Sequence, residues 1–413
     1  MSAENWKHTF AVIWSGQAVS ILSSSIVAYA IIFWMSVETR SAEVLALSAM
    51  AGMLPQAVLG LFVGVYIDRW DRKRTMILAD SFIALCTLGL AALFWSGRAE
   101  LWHVYVLLAC RSVGTAFHVP AMQASVPLLA PERQLTRIAG VNQVISSFSD
   151  LAGPALGALL LGLTSIGNIL LLDVVGALIA CTTLLFVRIP NPERPERKAD
   201  LWRELREGFA AMHSQPGLGW FFVLAIAIWF LIMPVGVMFP LMTLNHFGGG
   251  TWEMSFVEII WGGGALLGGA IMGARNYPIN RIVLINLMYI VVGLSFLLSG
   301  LLPPTAFCWF AVLTAAAGVS SSVFNASFVA VLQTRIEAGL LGRVLSLYRS
   351  FGLLPSALGL LSTGFLAEQV GLTTTFVLSG GAICLLGSVA FCLPSVLRLD
   401  RHPEQPDSSS NKR

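Results

Sequence analysis

Apolar residues run through this chain in long stretches separated by short polar segments. A helix that crosses a bilayer needs about 20 mostly apolar residues. Twelve stretches meet that requirement: 10–36, 44–66, 75–95, 101–123, 137–162 and 168–187, then 218–242, 254–274, 281–302, 306–332, 343–366 and 373–394. The pattern predicts an all-α membrane protein whose twelve transmembrane helices form two pseudo-symmetric six-helix halves, 1–187 and 218–394. Residues 188–217 read as a cytoplasmic linker, dense in Pro and charge from Ile189 to Lys198. A short amphipathic helix is expected in it, with Leu201, Leu205, Phe209 and Met212 on one face. Residues 395–413 read as a disordered cytoplasmic tail.

A weak internal repeat supports two halves. GVNQVISSFSDLAGPALG, from Gly140, is similar to GRVLSLYRSFGLLPSALG, from Gly342, so that Gly140 and Gly157 fall on Gly342 and Gly359 at one offset. Duplicated halves with a site between them near mid-membrane are a common transporter plan.

Composition narrows the class. Charged residues make up 11% of the 413 positions and hydrophobic ones 56%, whereas a soluble domain carries roughly 25% charge. A soluble enzyme, a nucleic-acid binder and a disordered chain are excluded together, because too few polar groups exist to coat the apolar surface. The six Cys lie inside apolar runs without CxxC spacing and read as small buried hydrophobes, so no metal is expected. The N-terminal segment has no cationic region before a cleavage site, so the first stretch is expected to be a retained span. Lys and Arg concentrate in alternate loops, including Arg69, Arg72, Lys73 and Arg74, Arg133 and Arg137, and Arg188 through Arg206, while the opposite loops carry Arg40 and Arg98. This bias predicts both termini on the cytoplasmic side. Trp34, Trp95, Trp102, Trp252 and Trp309 fall near the outer ends as interfacial anchors, and Trp220 near an inner end.

Against this background a few residues stand out. The loop after the second span runs Gly64, Asp68, Arg69, Asp71, Arg72, Lys73 within ten residues. An acid–base cluster between two helices can hold their ends together in one conformation and release them in another. Arg111 lies in the middle of the fourth span, with Thr115, His118 and Met122 following on its face. A cation at that depth costs roughly 2.5–3.5 kcal/mol on insertion scales, so it is expected to face inward and to have a partner. Gly153, Pro154 and Gly157 in the fifth span combine a helix break with close-packing glycines. Asn142, Ser146, Ser149 and Asp150 form a polar stripe beside them. Asp150 and Glu258 are the carboxylates best placed by depth to carry a proton, while Asp80 and Asp173 read as structural partners. Burial disfavours a carboxylate's charge and a nearby Arg favours it, so a group pulled both ways can load and release.

The loop resembles the signature G-x-x-x-D-R-x-G-R-[RK] of the major facilitator superfamily at Gly64, Asp68, Arg69, Arg72 and Lys73, and departs from it at Asp71, where Gly is usual. Arg111-x-x-Gly114 resembles that family's fourth-helix motif, which is linked to proton coupling, and Gly153-Pro154-x-x-Gly157 resembles the motif of its proton-driven exporters. NWKHTFAVIWSGQAVS, AIIFWMSVETRSA, DRWDRKRTMILAD, RSVGTAFHVPA, MFPLMTLNHFGG, LSGLLPP and GRVLSL spread over both halves and are similar to the bacterial macrolide-efflux subgroup. Asp150 and Arg349 have no counterpart in that subgroup's pattern.

The resemblance implies a drug:proton antiporter of the bacterial cytoplasmic (inner) membrane, with Arg111 in proton coupling; Asp150 and Glu258 join it as candidates by their depth in the spans. Candidate substrate contacts are Gln17, Ser20 and Ser24 on the first helix, Trp229 and Met233 on the seventh, Trp261 on the eighth, and Phe324 and Asn325 on the tenth. Aromatic and Met surfaces with few fixed polar groups suit a large amphiphile. The expected partners are an amphiphilic small-molecule drug, protons and membrane lipid, with no nucleic acid, no cofactor and, as an unproven addition, a protein partner. No phosphate-binding GxxxxGK[ST] loop is present, so the drive must come from an ion gradient or a partner. The rivals are a carrier of another metabolite or lipid on the same fold and a non-transporting membrane sensor or scaffold. An intramembrane serine protease built on Ser320 fails, because the histidine following His246 is His402, in the tail.

Overall fold

The computed structural model describes residues 5–67, 70–129, 131, 135–187, 189, 201–274 and 279–400. Among them the protein is helical and forms no strand. The first set of helices comprises α1 (Asn5–Thr39), α2 (Ala42–Ile67), α3 (Arg72–Trp95), α4 (Leu101–Leu129), α5 (Leu135–Leu163) and α6 (Ile166–Leu185). After α7 (Leu201–Met212), the second set comprises α8 (Leu218–Val237), the single turn α9 (Phe239–Leu241), α10 (Thr251–Ala274), α11 (Arg281–Leu301), α12 (Phe307–Arg335), α13 (Ala338–Val370) and α14 (Leu372–Phe391). Among the described residues eleven helices are long and apolar enough to cross a membrane, and α13 coincides with the remaining expected span. In lipid a helix satisfies every backbone group within itself, which is why apolar runs of this length fold in one way.

The two sets repeat one packing plan. In the first, α1 packs on α5 and α6, α2 on α4, and α3 on α4 and α6; in the second, α8 packs on α13 and α14, α10 on α12, and α11 on α12 and α14. The sets meet where α2 lies against α13 and α5 against α10. The repeated glycines mark equivalent crossings. A Cβ on Gly157 would lie 3.1 Å from the Ile26 carbonyl oxygen on α1, and one on Gly359 would lie 2.6 Å from the Phe230 carbonyl oxygen on α8. Each glycine lets backbone approach backbone, as small residues do between membrane helices.

Large apolar side chains such as Leu85, Phe148, Leu178, Phe186, Leu358 and Leu385 are exposed on the outside of the bundle. Trp95, Trp102, Trp252 and Trp309 are exposed at the end opposite the termini and Trp220 at the terminal end, whereas Trp34 packs edge-on against Phe94. An apolar exterior with Trp at its rims matches lipid rather than water.

Three expectations need correction. Residues 395–400 are ordered: the turn α15 (Pro394–Leu397) buries Val396, and Asp400 accepts a hydrogen bond from the Arg281 backbone N–H and sits 3.6 Å from its guanidinium. Arg281 opens α11, so a carboxylate docks at a helix N-terminus, where it is favoured. The apolar face expected on α7 divides. Met212 is buried with Ala211 toward α13, while Phe209 faces outward beside His213; the side chains of Leu201 and Leu205 lie outside the described ones. Finally, none of the six cysteines is fully buried: Cys308 and Cys392 are exposed and Cys86, Cys110, Cys181 and Cys384 are half-buried, because an apolar thiol meets lipid as readily as protein.

Candidate functional site

The interior of the first set is charged. Arg111 on α4 pairs with Asp173 on α6 through Nη1 and Oδ2, and Nη2 donates to the Ser24 carbonyl on α1. Ser24 Oγ donates to Asp173 Oδ1, and Thr87 Oγ1 on α3 donates to Asp173 Oδ2 at 3.2 Å. Four helices therefore converge on one carboxylate, which is 2% exposed. A buried ion pair survives only when further hydrogen bonds satisfy its remaining lone pairs and protons, and Ser24 and Thr87 supply them.

Asp150 and Glu258 lie elsewhere and do not join this network. Asp150 on α5 is exposed and Glu258 on α10 is half-buried; among the described residues neither makes a hydrogen bond or ion pair. They come from opposite sets, and Tyr29 on α1 is within electrostatic reach of both. The motif glycines set this arrangement. A Cβ on Gly153 would lie 2.2 Å from Ser25 Oγ, and one on Gly157 would lie 3.3 Å from Tyr29 Cβ, so α5 presses its glycine face on α1 around Tyr29. Ser25 Oγ donates to the Ser149 carbonyl at 2.9 Å, across the same contact. On the other side a Cβ on Gly262 of α10 would lie 2.9 Å from Leu151, one turn from Glu258. The expected polar stripe on α5 separates accordingly: Asn142 accepts a hydrogen bond from Trp14 and Ser149 is buried, while Ser146 and Asp150 are exposed.

In the signature loop Asp68 and Arg69 lie outside the described residues, as does anything about Gly64 beyond its place in α2. The rest of the loop ties helix ends together within the first set. Asp71 is the N-cap of α3 and accepts from the Arg74 backbone N–H at 2.8 Å. Arg72 is buried and donates to the Ala124 carbonyl on α4 at 2.9 Å. Lys73 Nζ donates to the Leu185 and Val187 carbonyls at 3.1 and 2.7 Å. Lys73 thus satisfies orphan carbonyls at the C-terminus of α6, where the helix dipole favours a cation.

The substrate candidates divide into two groups. Gln17 is fully buried, Ser24 is bound to Asp173, and Phe324 is buried against Tyr289 and Phe328. These three belong to the interiors of the sets, not to a surface between them, because the helix faces that carry them pack on neighbours within the same set. Ser20, Met233 and Trp261 are half-buried and Asn325 is exposed. Trp261 meets Phe239 edge-on at 5.9 Å, and Trp229 donates to Tyr348 at 2.9 Å. An open cleft of about 480 Å³ is lined by Val223, Ile226, Ala227, Phe230 and Leu231 of α8, Pro355 of α13 and Leu386 of α14, and by none of the substrate candidates.

Among the described residues, hydrogen bonds between the sets lie at the end opposite the termini. Glu368, near the end of α13, accepts from Ser41 Oγ at 2.5 Å and from the Glu43 backbone N–H at 3.4 Å, at the start of α2. Asn245 donates to the Arg40 carbonyl at 3.3 Å, and Phe33 and Ala158 share one apolar cluster with Leu244 and Met254. Arg40 holds a left-handed φ of 49° in the tight α1–α2 turn that makes these contacts. Sequence reasoning missed Tyr29, Tyr348 and Glu368; the first two read as generic aromatics in apolar runs, and Glu368 as a loop charge.

The Major Facilitator Superfamily model matches residues 13–313. The chain is 37% identical over 398 residues to macrolide efflux protein A of Streptococcus pyogenes, covering 96% of this chain and 98% of that protein. It is 38% identical over 322 residues to macrolide efflux protein A of Enterococcus faecalis, covering 78% of this chain and 99% of that protein. A solved structure of a POT family transporter in complex with a thioalcohol-conjugated peptide superposes with a TM-score of 0.74 at 12% identity, over 94% of this chain and 96% of that one. At that identity the likeness speaks for the fold alone. With the matching model spanning most of the chain and the signature loop and packing plan in place, this protein belongs to the major facilitator superfamily.

Proposed function

We propose that this protein is a secondary active exporter that carries macrolide-like or other amphiphilic drugs out of the cytoplasm or inner leaflet by proton antiport, through alternating access. One structural observation carries the reading: Asp150 and Glu258, from opposite sets, stand near Tyr29 with no partner among the described residues. Membrane-embedded carboxylates are costly and are kept where they work. Their position between the sets means that rocking one set against the other changes their surroundings. The similarity to macrolide efflux proteins over nearly the whole chain supports the drug class. With the terminal end cytoplasmic, the contacts of Glu368, Asn245 and Phe33 tie the two sets together on the outer side.

One proton crossing about 100 mV gains about 2.3 kcal/mol, and each pH unit adds about 1.4 kcal/mol. Exchange of one proton for a monocationic drug moves no net charge, so such export depends on the pH gradient alone. The test is macrolide accumulation in cells expressing wild type, Arg111→Ala or Asp150→Asn, with and without an uncoupler. Wild type should lower accumulation and the uncoupler restore it, with both variants resembling uncoupled cells. Equal accumulation with and without the wild-type protein would contradict the drug assignment.

A further inference from the structure

The charged interior of the first set has two layers. Two helical turns from Arg111 toward the terminal end, α4 carries His118; two turns in the same direction from Thr87, α3 carries Asp80; and two turns from Ser24, α1 carries Gln17. A seven-residue step keeps a side chain on nearly the same helix face. The three residues that surround Asp173 are thus repeated, about 10 Å nearer the terminal end, by Gln17, Asp80 and His118. His118 Nε2 stands 3.3 Å from Asp80 Oδ1, and both side chains are largely buried.

The layers differ in one respect. Around Asp173 the carboxylate and the guanidinium are bonded by neighbours. In the second layer both amide atoms of Gln17 and Asp80 Oδ2 have no hydrogen-bond partner among the described residues, and His118 Nε2 has only its 3.3 Å approach to Asp80 Oδ1, although Gln17 is 0% exposed and Asp80 5%. Buried polar atoms are almost always satisfied, and a cluster left open calls for water or a functional explanation. The two layers also differ in chemistry. Arg111 does not release its proton, whereas imidazole is the side chain whose charge ordinarily changes near neutral pH.

We propose that His118 and Asp80 form a proton-holding station inside the first set, hydrated beside Gln17, which passes protons between the inter-set carboxylates and the cytoplasmic side. The proposal rests on the antiport reading above. In the loading step a proton released by an inter-set carboxylate arrives as a hydronium ion, which gives it to an imidazole nitrogen of His118 and becomes water, and the resulting cation is neutralised by the Asp80 carboxylate. In the release step the same nitrogen returns the proton to water, and Asp80 remains a carboxylate. Among the described residues the other groups near the station are these. From α6 comes Cys181, which lies within electrostatic reach of Asp80. On α4 itself Arg111 lies two turns outward, and Arg72 of α3 reaches the Ala124 carbonyl near the cytoplasmic end of α4. From α1 the residue at this level is the uncharged Gln17, and α2, which packs on α4, carries its ionisable residues at its ends, Glu43 and Tyr66.

The experiment uses full-length protein in liposomes and two assays of a labelled macrolide. Counterflow at equal pH measures exchange without proton drive, and an imposed pH gradient measures coupled accumulation. His118→Gln and Asp80→Asn should retain counterflow within about twofold and lose gradient-driven accumulation by about tenfold or more, in the range expected for loss of a proton-transfer group. The pH dependence of wild-type coupled transport should flatten in His118→Gln. Variants that keep gradient-driven accumulation and the wild-type pH profile would overturn the proposal. So would variants that lose counterflow and accumulation together, which would make the pair a packing element. Failure of the antiport reading is visible separately, as wild-type counterflow without any gradient-driven accumulation.

Discussion

The two sets share a fold and differ in what fills them. The first surrounds Arg111, Asp173, His118 and Asp80 with short polar side chains. The second, at its terminal end, packs Phe221, Phe222, Phe328 and Tyr348 in mutual ring contact, with Phe221–Phe328 and Phe328–Tyr348 stacked at 4.8 and 4.4 Å. Further out, Phe239 gathers Phe296, Phe310 and Phe376. Helix packing alone accepts either filling, so packing does not explain the difference. On the antiport reading proposed above, charges held in fixed geometry suit proton handling, and the aromatic half suits a bulky apolar cargo.

The largest effect should come from breaking the charged core. Arg111→Leu leaves the Asp173 carboxylate buried without its cation, a loss of about 3–5 kcal/mol, read as a lowered thermal midpoint in detergent. Adding Asp173→Leu should recover most of that stability and no transport. Recovery of transport in the double variant would make the pair purely structural. The second core should behave differently. Phe328→Ala should cost about 3 kcal/mol through the cavity it leaves, whereas Phe328→Met, with its volume nearly kept, should cost less than about 1.5 kcal/mol and preserve transport. If the conservative change is as damaging as truncation, the aromatic core is as geometrically demanding as the charged one.

The equivalent glycines sharpen the comparison. Gly359→Ala drives a methyl to 2.6 Å from a backbone oxygen and Gly157→Ala to 3.1 Å. Overpacking costs about 1–3 kcal/mol, so Gly359→Ala should be the more destabilising of the two in the same melting assay. The smallest effect belongs to Asp71, whose removal by Asp71→Ala should cost about 1 kcal/mol through loss of the α3 cap and leave substrate range unchanged. A changed drug range would return Asp71 to a gating role.

The cap shows where sequence reasoning stops. Asp71 departs from the family pattern and reads as an altered gate, yet an Asp immediately before a helix is also an N-cap, and the structure shows that bond. Lys73 reads as a topology determinant, while its carbonyl partners at the end of α6 are 112 and 114 residues away and leave no local trace. The spans were legible because lipid permits few alternatives to an apolar helix. That Arg111 needs a partner follows from the cost of its charge, but which carboxylate supplies it depends on how α1 and α3 bring α4 and α6 together, and no spacing along the chain encodes that. Gln17 and Phe324 looked like substrate contacts for a related reason: residue type marks a polar or aromatic interior position without saying whether it faces a cavity or a neighbouring helix.

The central claim is that drug and proton move in opposite directions through one alternating site. It is tested most directly by adding a macrolide to one side of lightly buffered proteoliposomes and following internal pH with a trapped dye. The account predicts that macrolide entry drives proton exit at a rate that scales with macrolide flux, and that Glu258→Gln abolishes the pH signal. Macrolide entry with no change in internal pH in the wild-type protein would contradict it.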